Sequence, residues 1–437
     1  MSAHPFRLGR ALSIGITGTA LAMSISAVPI SAVAAEPPVA DDAPVDYRQW
    51  RTPKEFKTGT LDGLVIGRGG IVVGKPAGSI EHPEPDLGTT RTYEYGQWTS
   101  PTYEYGFGAT QLVASWNAST PKNTWLAVEM RGSTDAGAET AWYTMGRWAS
   151  GDTDILRTSV PDQSDASGSV DVDTFVAKSG VTLTGYQLRV TLYREAGSRA
   201  TPTLAMVGAM TSAIPDRFTV PTSGENGAWG TELPVPRYAQ NLHVGHYPEY
   251  GGGGEAWCSP TSTEMVVEYW GKGPSAADLS WVDPSYSDKS VDHAARFSYD
   301  KDYDGTGNWP FNTAYAATFG LSGHITRLSS LADAERYLAA GVPVITSQSF
   351  LESELDGAGY GTSGHIMVIV GFTETGDVIV NDPASSTNDG VRNVYQRAQF
   401  ENIWQRTKRY TESGSVASGP GGIAYIIAPP GKKLPKP

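Results

Sequence analysis

Between residues 56 and 212 the chain alternates short apolar runs with clusters of Gly, Pro, Asp and Ser. Gly63-Leu64-Val65-Ile66, Gly70-Ile71-Val72-Val73, the run from Gln111 to Trp116 and the run from Thr124 to Met130 are each strand-length. Thr182 to Tyr193 alternates polar and apolar positions over the length of two strands. Many short strands separated by turn signals predict a β-sandwich or jelly roll. No long amphipathic helical pattern interrupts them.

From Arg237 onward the texture is mixed. Ser259 to Tyr269 reads as a helix with Pro260 in its first turn, where a missing N–H costs nothing. Ser330 and Asp333 have capping-box spacing and open a second helix through Leu331, Tyr337 and Leu338, which Gly341 stops. Val342 to Ser347 reads as a strand. His365 to Phe372 and Asp377 to Asp382 read as a strand pair around Thr373-Glu374-Thr375-Gly376. The expected organisation is multidomain: an all-β sandwich or jelly roll over 56–212, a Pro- and Gly-rich linker over 213–236, and an α+β domain over 237–437.

The first residues add a compartment. Arg7 and Arg10 precede an apolar, small-residue run, and Ala32-Val33-Ala34 offers a small-x-small cleavage site. Residues 1–35 therefore read as a secretory signal peptide cut near Ala34 or Ala35, and 36–55 as a flexible tether. No later run approaches the ~20 apolar residues of a membrane-spanning helix, so no membrane association is expected after cleavage. A net charge of -13 without a basic stripe argues against nucleic acid as a partner.

The chain holds one cysteine, Cys258, so no intramolecular disulfide forms. A glycine run, Gly251 to Gly254, leads into Cys258 at the start of a helix, where free N–H groups and the helix dipole favour a thiolate nucleophile. Among seven histidines, His365 stands at the mouth of the apolar run Ile366 to Val370, a rigid place for a base. The other sites are less distinctive: His243 and His246 fall in a loop-like stretch, His293 in an irregular acidic one. If Phe372 faces Asp377 across the hairpin, His365 faces Ala384, and Asp382 lies diagonally adjacent on the same face. A carboxylate there can take the imidazole N–H and fix its tautomer. Asn381-Asp382-Pro383 also reads as a plain strand-ending turn. Gln240 is a candidate oxyanion donor, together with the backbone N–H of Cys258. Trp257 and Gly364, beside the nucleophile and the base, are the expected substrate contacts.

Tyr238-Ala239-Gln240, Trp257-Cys258-Ser259-Pro260-Thr261-Ser262, Gly364-His365 and Asn381-Asp382-Pro383 together resemble the bacteriocin-processing (C39-like) cysteine peptidases and their secreted relatives. The resemblance covers roughly residues 237–429. It implies a papain-like fold with the chain order Gln, Cys, His, Asp: Cys258 as nucleophile, His365 as base and then acid, Asp382 as its orienter, and Gln240 in the oxyanion hole. Two departures stand out. The membrane and nucleotide-binding segments of transporter-fused members are missing, so their substrate does not carry over. Ser259-Pro260 also replaces the Gly-Pro of many members.

Asp300, Asp302 and Asp304, with Gly305 sixth, begin like a calcium loop, but the twelfth position holds Phe311 rather than Glu. No HExxH or Cys/His zinc pattern occurs, so neither a metal nor another cofactor is expected. Asn308-Trp309-Pro310-Phe311 reads equally as cleft wall or core. The aromatic wealth of 56–212 (Tyr93, Tyr95, Trp98, Tyr103, Tyr105, Trp116, Trp125, Trp142, Tyr143 and Trp148) fits a sandwich core, with a wall-carbohydrate face as the alternative. The expected activity is hydrolysis of a peptide or protein by a secreted cysteine peptidase. Two alternatives stay open: transglutaminase-like or cell-wall amidase acyl transfer, and a non-catalytic cell-surface binding protein with an inert hydrolase domain.

Overall fold

The computed structural model describes residues 43–435, so the expected signal peptide and the start of the tether lie outside the described residues. Strand-forming alternation accounts for the first half. One seven-stranded antiparallel sheet runs in the order Gly168–Asp171, Thr174–Ala177, Gln111–Ser119, Thr203–Ser212, Gly70–Val73, Leu64–Gly67, with Val45–Trp50 also paired to Thr203–Ser212. A second is built on Leu183–Glu195, which pairs with Thr124–Thr134, Thr89–Thr99 and Tyr103–Ala109. The stretch read as two strands' length is thus one 13-residue strand. Its alternate residues Leu188, Val190 and Leu192 enter one apolar cluster with Leu126, Val128 and Trp98 of the same sheet and Leu112, Ala114, Trp116 and Val207 of the other.

The second half centres on a six-stranded antiparallel sheet. Its order is Ser322–Arg327, Ile423–Ala428, Val344–Phe350, Thr362–Phe372, Val378–Asn381, Arg392–Tyr395. Both faces are covered, which explains why its strands read as unbroken apolar runs. Met367, Ile369, Ala424 and Ile426 pack with Tyr337 and Leu338 of the helix Leu331–Ala339 and with Phe400 and Trp404 of the helix Arg397–Gln405. Ile366, Val368, Val370 and Tyr425 face the other way, onto Met265 and Val266 of the helix Cys258–Tyr269.

The two halves are packed as one. Phe311, on the helix Trp309–Thr318, is fully buried in the apolar cluster of the first half with its ring against Trp116 and Trp148, so it is core and not cleft wall. Opposite residues of Gln111–Ser119 serve the other half: Val113 enters the apolar cluster behind the Cys258 helix. Ser115 accepts from Ile325 N at 2.9 Å, and Asn117 donates to Gly323 O at 2.8 Å. These side chains satisfy the outer backbone of Ser322–Arg327, an edge strand that would otherwise invite foreign pairing. Arg327, nearly buried, ties Ser212 and Gln111 to Pro420 and Gly421. The described residues accordingly form one compact unit.

Residues 213–236, expected as a linker, are laid along the six-stranded sheet. Ser223 N donates to Glu401 and Asn226 N to Glu335. Leu233 N donates to Val370 O, and Phe372 N to Thr231 O. These last bonds occupy the backbone where Thr362–Phe372 breaks register with Val378–Asn381, between Ile369 and Gly371. The bulge and the strap that satisfies it set the course of the strand leading back to His365.

Candidate active site

Cys258 is the first residue of its helix, preceded by Trp257 and with Pro260 two residues on, and it is partly exposed. The N–H groups of this first turn have no helical partner, so the sulfur sits at the positive end of a 12-residue helix. The approach depends on glycine. Gly251, Gly252 and Gly253 adopt φ of 73°, 98° and 111°, and a Cβ on Gly254 would lie 2.3 Å from His243 C and 2.4 Å from Gln240 O. Any side chain at Gly254 would force apart the segment bearing Gln240 and the turn entering Cys258.

His365 lies near the start of Thr362–Phe372 and is 6% exposed. Its Nε2 is 2.8 Å from Asp382 Oδ1, and the Cys258 thiol is near enough to act on the charge of its ring. Burial works against a charge on this imidazole. The Asp382 carboxylate outweighs it, aided by the hydrogen bond to Asp382 and by the nearby Cys258 thiol, and the His365 pKa is raised to about 10. The protonated ring is therefore the favoured form at neutral pH.

Asp382 is 2% exposed, yet its carboxyl is held below the usual range: burial raises it, and the charge and hydrogen bond of His365 outweigh that effect. Four donors converge on it. Oδ1 accepts from His365 and from Ala384 N at 3.0 Å; Oδ2 accepts from Tyr360 Oη at 2.8 Å and Tyr395 Oη at 2.9 Å. Burial and the adjacent carboxylate push both phenols well above their ordinary value, so they stay protonated and donate. Tyr360 also sets its ring edge-on to His365, with 5.6 Å between ring centres.

Gln240 is buried in the short turn Gln240–His243. Its backbone N donates to Pro383 O at 2.9 Å, and its Nε2 to Glu255 O at 2.8 Å. It therefore bridges the turn after Asp382 and the turn before Cys258, with one amide hydrogen uncommitted. Gly364 is exposed, and a Cβ there would meet nothing within 4 Å. Trp257 departs from expectation. It is fully buried, packs with Val291 and Ala295, and donates its indole N–H to Tyr250 O at 2.7 Å. Buried in this way beside the start of the Cys258 helix, its side chain is not presented to a substrate.

The calcium-loop acids do not gather. Asp300 is fully buried, and its oxygens accept from Ser159 and Asn308, while Asp302 and Asp304 are exposed. Most of the aromatic residues of 56–212 are likewise buried: Trp98, Trp116, Tyr143 and Trp148 in the main cluster, Tyr93 and Trp125 in a smaller one. Trp142 lies under the guanidinium groups of Arg189 and Arg131.

Two family models match the chain, both on this architecture. Residues 46–212 match the one described as the peptidase C39 N-terminal domain, and residues 232–412 the one described as the peptidase C39 like family. The chain belongs to the C39-like peptidase family. Among solved structures it is similar to a provisionally assigned C39-like peptidase from Bacillus anthracis, at 14% identity over 46% of this chain and 97% of that one. The TM-score is 0.28, too distant to bear on the fold. The curated proteins contain no match.

Proposed function

We propose that this chain is a secreted cysteine peptidase, with a papain-like α+β domain following a β-sandwich, that hydrolyses peptide bonds through Cys258, His365 and Asp382. The observation that carries the reading is the position of His365 between the Cys258 thiol and the buried Asp382 carboxylate. An imidazole held in this way can keep the sulfur deprotonated and then supply the proton a leaving amine needs.

The sulfur attacks the amide carbon, the C–N bond breaks, and the proton on His365 passes to the amine. Water then attacks the thioester while His365 takes one of its protons. The C–S bond breaks, and the acid product leaves the resting pair behind. The negative oxygen that develops in both steps is matched by the uncommitted hydrogen on Gln240 Nε2 and the backbone N–H of Cys258. Asp382 keeps the imidazole oriented throughout. No cofactor enters this scheme. Secretion, with cleavage near Ala34 or Ala35, belongs to the same proposal, as does a peptide or protein substrate. A wall-carbohydrate contact by the sandwich is a further proposed partner.

The test is digestion of a diverse peptide mixture in ¹⁸O-water, read by mass spectrometry. New C-termini carrying the heavy oxygen, absent with Cys258→Ala, are expected. Products bearing an added amine instead of water would replace hydrolysis with acyl transfer, and identical products from Cys258→Ala would end the proposal.

A further inference from the structure

His243 and His246 look unremarkable in the sequence, three positions apart in a glycine-containing loop, and Asp292 lies on the helix Lys289–Ser298. The fold brings them together. His243 Nδ1 is 3.0 Å from Asp292 Oδ2, and His246 Nδ1 is 3.0 Å from Asp292 Oδ1. The ligand atoms of all three lie within 4.8 Å of one another, the one such group among the described residues. We propose that these three side chains bind a zinc ion that braces the turn carrying Gln240.

Charge is the first argument. The His243 and Asp292 side chains are 0% exposed and that of His246 is 14% exposed. With both imidazoles in the neutral form that a metal requires, the fully buried carboxylate has no opposite charge beside it, which is costly in a dry interior. A divalent ion supplies the missing charge, and each imidazole meets it through Nδ1 once its proton sits on Nε2.

Geometry is the second. Tetrahedral zinc holds N and O ligands at ~2.1 Å, which sets them ~3.4 Å apart; each histidine is paired at 3.0 Å with a different Asp292 oxygen, so a small turn of the carboxylate presents one oxygen to both. The widest pair must close, and His246, at the solvent edge of the group, is the ligand that shifts. Solvent reaches the cluster from its side, where water would fill the fourth position. Its ring is already stacked flat on Tyr286. His243 Nε2 is buried without a partner, so Nδ1 carries the whole polar role of that ring.

Placement is the third. His243 ends the turn that begins at Gln240, and Gly254 is pressed against both residues. Asp292 stands on the helix that also contributes Val291 and Ala295 to the packing around Trp257. An ion here would therefore fix the Gln240 turn to the scaffold behind Cys258. That positioning role, unlike zinc binding itself, rests on the peptidase reading above.

The experiment measures zinc by mass spectrometry in the full chain carrying Cys258→Ala, after incubation with zinc and gel filtration. This background removes the thiol as a competing ligand and reads the site without reference to turnover. About one zinc per chain is expected, falling to about a tenth or less with His246→Ala or Asp292→Asn. Chelation should lower the melting temperature and zinc should restore it, in the parent and not in His246→Ala. His246→Ala alters the one partly exposed ring of the three and so remains informative if Asp292→Asn misfolds. Less than about a tenth of an equivalent in the parent, or equal zinc in parent and His246→Ala, would overturn the site.

Discussion

Cys258→Ala should lower peptide turnover by on the order of 10⁴-fold or more, and His365→Ala should cost about as much. The size follows from the chemistry each group supplies. Without sulfur there is no thioester, and the remaining donors can only polarise a carbonyl toward water. Without imidazole, the sulfur has no partner to hold its proton and the amine leaves unprotonated. Because the two act as a unit, the double variant should be scarcely worse than either single one. Losses that multiplied would mean that Cys258 and His365 work independently, against the electrostatic coupling between them. The check is kcat/KM for all three variants on one cleaved peptide, with circular dichroism to establish the fold.

Asp382→Asn should be intermediate, reducing kcat by between about 10² and 10⁴ with little change in KM. Asp382 touches no reacting atom; it holds His365 and keeps the ring in one tautomer. An asparagine has one acceptor oxygen where the carboxylate has two, and those two serve four donors. Its amide hydrogens would also face donors. Each donor left unpaired in this interior costs about 1–3 kcal/mol, so a lower melting temperature should accompany the loss of rate. Tyr395→Phe removes one of those donors and leaves both oxygens in place. It should be far milder in rate, which separates the orienting role from a general loosening of the pocket.

How the sequence leads to this site is instructive at the hairpin. Simple four-residue-loop arithmetic pairs Phe372 with Asp377, whereas the strands pair Phe372 with Val378, one residue out. The bulge between Ile369 and Gly371 then restores the simple register, so Val368 faces Asn381 and Asp382 arrives beside His365. The contact was legible; the path to it was not, because the bulge depends on Thr231 and Leu233, more than a hundred residues upstream. Cys258 was legible for a local reason: Pro260 and the apolar positions beyond it mark a helix start.

Tyr360 and Tyr395 gave no signal. One lies in a glycine-rich loop and the other in a four-residue strand, and only the fold aims both hydroxyls at Oδ2 of Asp382. Trp257 misled because adjacency to a nucleophile in sequence says nothing about which way a side chain points. The segment 213–236 misled because its prolines and glycines suit a linker and equally a strap whose backbone bonds to a neighbouring sheet. His243, His246 and Asp292 belong to the same class of hidden feature: only the helix Lys289–Ser298 brings the carboxylate across to the loop.

The central claim is that the Cys258 sulfur is activated by His365, and the rate of its alkylation by iodoacetamide, followed from about pH 5 to about pH 9, tests this most directly. With one cysteine in the chain, a single adduct mass reports the site. The account predicts much faster labelling of the wild type than of His365→Ala at about pH 6, with the variant's rate climbing only toward the ~8.5 of a simple thiol. Superimposable profiles for the two proteins would contradict it.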